Sequence, residues 1–489
     1  MAMTSRSRRL ALTMLTLSLS AGLAQAAGYR FGTQSAAAEG TANANGAEGA
    51  DASTIFANPA ALTRLGSGLH VSGVLDYVAP DVQFTDAGSF ISLPGSGLQA
   101  RPTSQAGATQ NAASGVFVPH MYAAYRASDT LVYGLGVFVP SGAKLTYDPS
   151  WGGRYNLNKV ELKSLAFNPN VAWKLNPQLS LAGGLNIEYM QGDLERATPY
   201  GSAYAAGLLA AAQQAAAGGA PGLALQLQQQ ANQVFGNPAF DGNIHVHGKG
   251  WALGFNLALL WELDAKTRFG LAYRSSVSHK LKGDADWSQP ATLPAQVLAA
   301  ITGKPADGHS KLDHNDSGAS LKVKTPDSLS FQAFHQLDER LAVMADATWY
   351  KQSRLQELRI EFDSTAAPSI TPEKWKNAWR VSLGGSYRLN PELLLRAGIS
   401  YDRSPVEGAL RSPALPDSDR TWLALGANLK LAQSTTVDLA LGFVKLREAP
   451  MQATDDGGGQ TPCSCAYSTV RGTYRSSAAT VGVQLNHGF

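Results

Sequence analysis

His245 and His247 stand one residue apart, so in an extended chain both imidazoles fall on one face, where they could hold a metal ion. Strand alternation explains the pair equally well, and no metal or other cofactor is expected. Cys463 and Cys465 are also one residue apart, in a Gly-rich stretch after Asp455-Asp456-Gly457. A bond between them would close a strained small ring, and no third metal ligand is nearby, so a local disulfide or two inert thiols are the expectations. A hydrolase needs a nucleophile, a base and an oxyanion site in register, and the chain has no Gly-x-Ser-x-Gly elbow. The residue types point away from an enzyme.

The elements that position these residues start with a leader. Arg6, Arg8 and Arg9 precede an apolar run from Leu10 to Leu23 and the small-residue site Ala24-Gln25-Ala26, the pattern of a secretory signal peptide over residues 1–26. Those three arginines account for the whole formal charge of +3. The chain from Ala27 is therefore neutral, which argues against nucleic acid or another polyanion as a partner. No later apolar run reaches the roughly 18 to 20 residues of a membrane helix. If the chain crosses a membrane, it does so as a closed barrel, the other structure that satisfies every backbone group in lipid.

From Gly66 onward the sequence alternates with period two. Leu179, Leu181, Gly183, Leu185, Ile187 and Tyr189 oppose Ser180, Ala182, Gly184, Asn186 and Glu188, and the same pattern recurs at residues 341–349, 393–402 and 437–443. Trp251 and Trp261 bracket Leu253, Phe255, Leu257 and Leu259 on one face. Ten residues at about 3.3 Å each, tilted about 40°, span roughly 25 Å, the height of a lipid-facing band with two aromatic girdles. The greasy face is thus the outer one. An arginine at Leu257 is expected to cost about 2–4 kcal/mol, and one at the inward Asn256 much less. Six short turns alternate with seven long loops, which gives fourteen strands with both ends on the periplasmic side. The expected fold is all-β, a fourteen-stranded antiparallel transmembrane barrel over residues 66–489 that ends on the aromatic Phe489.

Two regions depart from that pattern. Residues 27–65 are rich in Gly, Ala, Asn and Thr and cannot build a core alone, so they are expected to order as a hatch inside the lumen, hinged near Asn58-Pro59-Ala60. Between Tyr204 and Phe235 an Ala- and Leu-rich stretch, broken at Gly218-Gly219-Ala220-Pro221-Gly222, reads as a helical hairpin in an extracellular loop. It carries Leu208, Leu209, Leu223, Leu225 and Leu227. A second short helix covers Leu293, Val297, Leu298 and Ile301. Exposed apolar helices are expected to cover or bind something.

The order of several pieces resembles the FadL outer-membrane transporters of long-chain fatty acids and related hydrophobic compounds. These are Ala27-Gly28-Tyr29, Phe56-Ala57-Asn58-Pro59-Ala60-Ala61-Leu62, Tyr133 to Gly142, Trp151-Gly152-Gly153-Arg154-Tyr155, and Asn168-Pro169-Asn170-Val171-Ala172 with the Leu179 strand. The resemblance implies a monomeric barrel plugged by the hatch and passive uptake of a long-chain fatty acid or, alternatively, an aromatic hydrocarbon. It implies a low-affinity groove on the two helical loops and an inner site near Ala27, Gly28, Tyr29 and Phe31. A kinked third strand at Gly134, Gly136 and Pro140 would release ligand sideways into the bilayer. Outer-membrane lipids, lipopolysaccharide and the barrel assembly machinery are the implied partners. Arg268, Arg274, Arg380 and Arg396 have the polar-face parity to meet a ligand carboxylate in the lumen, or to pair with Glu188, Asp346, Asp402 and Asp438.

Overall fold

Period-two alternation becomes a ring of fourteen antiparallel strands in a computed structural model that describes residues 32–302, 315–364, 366, 368–455 and 466–489. The strands are β1 (Gly68–Asp86), β2 (Val116–Arg126), β3 (Leu131–Phe138, resumed at Gly142–Thr146), β4 (Lys159–Lys174) and β5 (Leu179–Thr198). Then come β6 (Gly242–Glu262), β7 (Thr267–Arg274 and Ser278–Ser288), β8 (Ser317–Lys324 and Ser328–Gln336) and β9 (Leu341–Tyr350 and Glu357–Phe362). The ring continues with β10 (Ser369–Pro372 and Ala378–Asn390), β11 (Leu393–Asp402), β12 (Arg420–Ala432), β13 (Thr435–Leu446 and Ala449–Asp455) and β14 (Tyr467–Gly488). It closes where β1 pairs with β14, from His70 opposite Gly488 to Asp86 opposite Gly472. Closure removes the two free edges that β1 and β14 would otherwise present to lipid.

Four of the six short turns share one device. Asn176, Asp264, Asp338 and Asn390 each accept two backbone N–H groups two and three residues on, at 2.7–2.9 Å, so the side chain substitutes for the missing ladder partner. The hatch is mostly short helical turns: α1 (Ala36–Glu39), α2 (Thr54–Ala57) and a 3-10 turn (Pro59–Arg64). Ser35 Oγ accepts the Ala38 N–H at 3.1 Å and caps α1. The hairpin in the loop after β5 consists of α3 (Tyr200–Ala217) and α4 (Pro221–Val234). They are joined through Gly219 at φ +80°, a left-handed value suited to glycine, and Pro221 opens α4 where its missing N–H costs nothing. A last helix, α5 (Ala295–Thr302), lies in the loop after β7. Cys463, Cys465 and Gly457 lie outside the described residues.

The apolar face points outward, with Trp251 61%, Leu253 71% and Leu257 54% exposed, while Leu260 is buried. Asn256 corrects the expectation of a tolerant lumen. It is 2% exposed, its Nδ2 donates to Asn170 Oδ1 at 2.7 Å, and its Oδ1 accepts from Asn168 Nδ2 at 2.8 Å. An arginine there would be buried and would break the asparagine web, whose member Asn186 already holds Arg274 at 2.5 Å. Leu257→Arg should still cost about 2–4 kcal/mol near the bilayer midplane. Asn256→Arg should cost at least as much, read as the shift in denaturant midpoint of the purified barrel. An unchanged midpoint for Asn256→Arg would mean that this part of the lumen is solvated.

Candidate functional site

The hatch is seated on glycine. Along β10 to β14 the inward positions Gly384, Gly398, Gly426, Gly442 and Gly482 face residues 36–44 of the hatch. A Cβ on Gly426 would sit 2.9 Å from Gly40 Cα, one on Gly384 would sit 2.9 Å from the Thr41 carbonyl oxygen, and one on Gly398 would overlap the Thr41 carbonyl itself. Side chains here would exclude the plug. At the far end of this seat the Ala36 N–H donates to Gln484 Oε1 at 3.0 Å, and Thr480 on β14 donates to Glu39. Glu39 is fully buried, and burial, with Asp76 of β1 nearby, pushes its carboxyl up to about 8.

Asn58 anchors the other half. Its Oδ1 caps the 3-10 turn by accepting the Ala60 N–H at 3.1 Å, while its Nδ2 donates to the Leu259 carbonyl at 3.1 Å and to Gln332 Oε1 at 2.8 Å. Gln332 Nε2 returns a bond to the Ala57 carbonyl at 3.2 Å. Pro59 and Ala60 are buried beside it. The Asn58-Pro59-Ala60 turn thus fastens the hatch to β6 and β8, and the neighbours of β3 are other hatch residues. Ile55 and Leu62 lie over Gly134, Ile55 also reaches Gly136, and the Phe56 ring meets Phe138 edge-on at 5.1 Å. Gly134 and Gly136 make room for the plug, and the bend itself belongs to Pro140.

That bend interrupts the ladder. The ladder between β2 and β3 ends at Met121 opposite Val137. Beyond it the Val139 N–H turns to His120 Nδ1 at 3.3 Å, the Val139 carbonyl accepts from Gln34 of the hatch at 2.9 Å, and Pro140 has no N–H to give. The Ser141 N–H bonds Ser164 Oγ of β4 at 2.9 Å, and β3 resumes pairing with β4 alone. Contact with the chain entering β2 returns only where the Thr146 N–H donates to the Ala112 carbonyl at 2.9 Å. Among the described residues, the span from Val139 to Leu145 has no backbone-to-backbone hydrogen bond to β2. The result is a break in the hydrogen-bonded ladder of an otherwise continuous ring, closed over by packing of Val139 against Val116 and Val118.

The four lumen arginines are all engaged with protein groups. Arg268 donates to the Ala47 and Glu48 carbonyls at 2.6 and 2.8 Å and lies over the Phe334 ring at 3.5 Å. Arg274 donates to Asn186 and to the Phe56 carbonyl at 3.1 Å. Arg396 pairs with Asp438 and reaches Glu48 at 3.5 Å. These three tie the hatch to the wall. Arg380 pairs with Asp346 at 3.3 Å, while Asp402 is 3.9 Å from Arg420 and Glu188 is 3.3 Å from His279. A cavity of about 60 Å³ between hatch and wall is lined by Asp51, Phe56, Arg274, Gln332, Asp346 and Arg380 among others.

The loop helices divide the expected groove. Leu208, Leu209 and Leu227 pack into a small core with Ile91, Tyr155, Val234 and Phe235, and Leu293, Val297 and Leu298 pack against Tyr200 and Tyr204 of α3. Leu223 and Leu225 remain 50% and 56% exposed. Ile301 belongs to α5, and Ala27, Gly28, Tyr29 and Phe31 lie outside the described residues. Two parts of the site escaped sequence reasoning. The asparagine web of Asn168, Asn170, Asn186 and Asn256 spans three strands and leaves no local signal. The glycine seat did leave one, since a glycine recurs at an inward position on five successive strands.

A lipid-faced, fourteen-stranded ring filled by its own N-terminal segment defines a plugged channel of the bacterial outer membrane. The chain matches the family described as outer membrane protein transport protein (OMPP1/FadL/TodX) over residues 17–489, and it belongs to that family. It is a transport protein and not an enzyme. It is 32% identical to a putative outer membrane protein of Neisseria meningitidis serogroup B, with all of both chains covered. It is 25% identical to a long-chain fatty acid transport protein of Escherichia coli, covering 89% of this chain and 92% of that one. In fold it is similar to a Pseudomonas aeruginosa FadL homologue, with a TM-score of 0.77 and 23% identity over 95% of this chain and 100% of that one. It is also similar to the Pseudomonas putida toluene transporter TodX, with a TM-score of 0.59 and 18% identity over 90% and 94%.

Proposed function

We propose that the protein takes up long-chain fatty acids, collecting them on the extracellular hairpin and releasing them into the outer leaflet through a side window that opens at the broken ladder between β2 and β3. The observation that carries this reading is the broken ladder between β2 and β3, where a window could form, because a water-filled porin has no need to interrupt its wall beside Pro140. Its floor is the hatch, through Gln34 and Phe56, so a shift of the hatch and an opening of the window are one movement. An apolar tail gains about 0.8 kcal/mol for each CH₂ buried, which moves it from surface to surface without an aqueous step. The relative named for long-chain fatty acid transport supports the substrate class, and the cations Arg274 and Arg380 in the cavity wall suit a carboxylate. The chain acts as a monomer among outer-membrane lipids and lipopolysaccharide after insertion by the barrel assembly machinery, and residues 1–26 are its cleaved export signal.

Growth of a deletion strain carrying this chain, on oleate and on toluene as sole carbon source, tests the substrate. Rescue on oleate is expected, and rescue on toluene alone would replace the fatty acid with an aromatic hydrocarbon. Capture is tested at the two exposed leucines. Leu223→Asp with Leu225→Asp should weaken binding of a labelled fatty acid to whole cells by about tenfold, roughly 1.4 kcal/mol. The barrel should stay folded, because both residues lie outside the wall. Unchanged binding would remove the hairpin from the pathway.

A further inference from the structure

We infer that His245, His247 and Asp286 form a site for a borderline divalent transition metal, zinc above others, on the outer wall of the barrel near its extracellular end. His245 and His247 share the outward parity of Trp251 and lie four to six residues toward the extracellular end of β6, on the order of 10–20 Å along the strand from that girdle. In the ladder His245 lies opposite Asp286 of β7, and His247 opposite Asp284. Opposite them on the other side, β5 places Glu195 and Asp193. Two imidazoles thus sit in a row of carboxylates, on three strands whose pairing fixes their spacing.

The atoms are arranged as a metal would require. One ligand atom from each of His245, His247 and Asp286 lies within 4.8 Å of the other two, and the two rings are 5.4 Å apart. Zinc bonds of about 2.0–2.2 Å would bring these atoms to about 3.3 Å from one another, a movement that side-chain rotation can supply. Each histidine already has an orienting partner. His245 Nε2 is 3.4 Å from Asp193 Oδ1, and His247 Nε2 is 3.6 Å from Asp284 Oδ2. A carboxylate behind a ligating imidazole fixes its tautomer and raises its basicity. The opposite nitrogen, His247 Nδ1, is sealed from solvent without a hydrogen-bond partner and faces Asp286 Oδ2 at 3.8 Å. A dication between them would satisfy that nitrogen and relieve the repulsion among Asp193, Asp284 and Asp286. Nitrogen donors select zinc, copper or nickel over calcium or magnesium. Bound there, the metal would tie β6 to β7.

The test uses the full chain in detergent, without a polyhistidine tag, washed with chelator and titrated with Zn²⁺ by calorimetry and with Co²⁺ by visible absorption. One equivalent is expected, with the intense cobalt bands of a four-coordinate site. His245→Ala and His247→Ala should each weaken binding at least tenfold, and Asp286→Asn should weaken it less. Heat-dependent gel mobility would show that the variants still fold. In wild-type protein zinc should also protect His245 and His247 from histidine acylation mapped by mass spectrometry, a measurement that needs no variant. Equal binding by wild type and the His245→Ala/His247→Ala double variant, or acylation of both histidines undiminished by zinc, would overturn the site.

Discussion

Gly398→Ala should turn the protein into a leaky pore. The added methyl group would overlap the Thr41 carbonyl, and a backbone carbonyl pressed against the wall cannot rotate away as the end of a long side chain can. Overpacking of this kind costs about 1–3 kcal/mol. The strand is held on both sides by ladders to β10 and β12, whereas the hatch is held by individual side-chain bonds, so the hatch is the part that yields. The expected outcome is a folded barrel, by heat-dependent gel mobility, that admits a hydrophilic antibiotic at least tenfold faster than wild type. Gly385→Ala is the matched control, since a Cβ at this position meets only the Ala342 carbonyl oxygen at 3.1 Å. Wild-type permeability in a folded Gly398→Ala barrel would mean that the hatch does not bear on this strand.

A reversible lock should abolish transport while sparing capture. A Cβ on Gly136 would lie 3.2 Å from Ile55 Cγ2, close enough for Ile55→Cys and Gly136→Cys to be joined after a small adjustment. With Cys463 and Cys465 changed to Ser, oxidation should cut arrival of a labelled fatty acid in the periplasm at least tenfold, surface binding should persist, and reduction should restore passage. The comparison is made within one protein, so any crowding of Phe138 by the new side chain at residue 136 cancels. Full-rate transport with the crosslink complete would make the hatch a fixed plug and remove the side exit.

The wall was legible because strand alternation is a local signal. Leu257 and Asn256 differ in face by one residue, and the turns at Asn176, Asp264, Asp338 and Asn390 use a bond that spans only two or three residues. What stayed hidden is carried by contacts between distant parts of the chain. Asn58 was recognisable as a turn former, but its partners Leu259 and Gln332 lie more than two hundred residues away, and nothing near Asn58 points to them. The same limit explains the hairpin leucines. Helical patterning placed Leu208 and Leu223 alike on apolar helices, and only the neighbours Ile91 and Tyr155, from two other loops, decide that one is buried and the other open. Asn256 shows how parity misleads, because an inward position is solvated in an empty barrel and buried in a filled one.

The seam between β1 and β14 bears on how the molecule comes to exist. Residues 36–39, which precede every strand of the wall, rest on Thr480 and Gln484 of its final strand. The ring cannot shut until the final strand has been made, and its contents are fastened partly by that same strand. Encapsulation and closure therefore share one late step that joins sequence ends some four hundred residues apart, the kind of non-local pairing that makes folding slow. A chain that stops short of β14 would lose its seam and the latch on its cargo together, so incomplete copies have no route to a sealed barrel holding a misplaced plug.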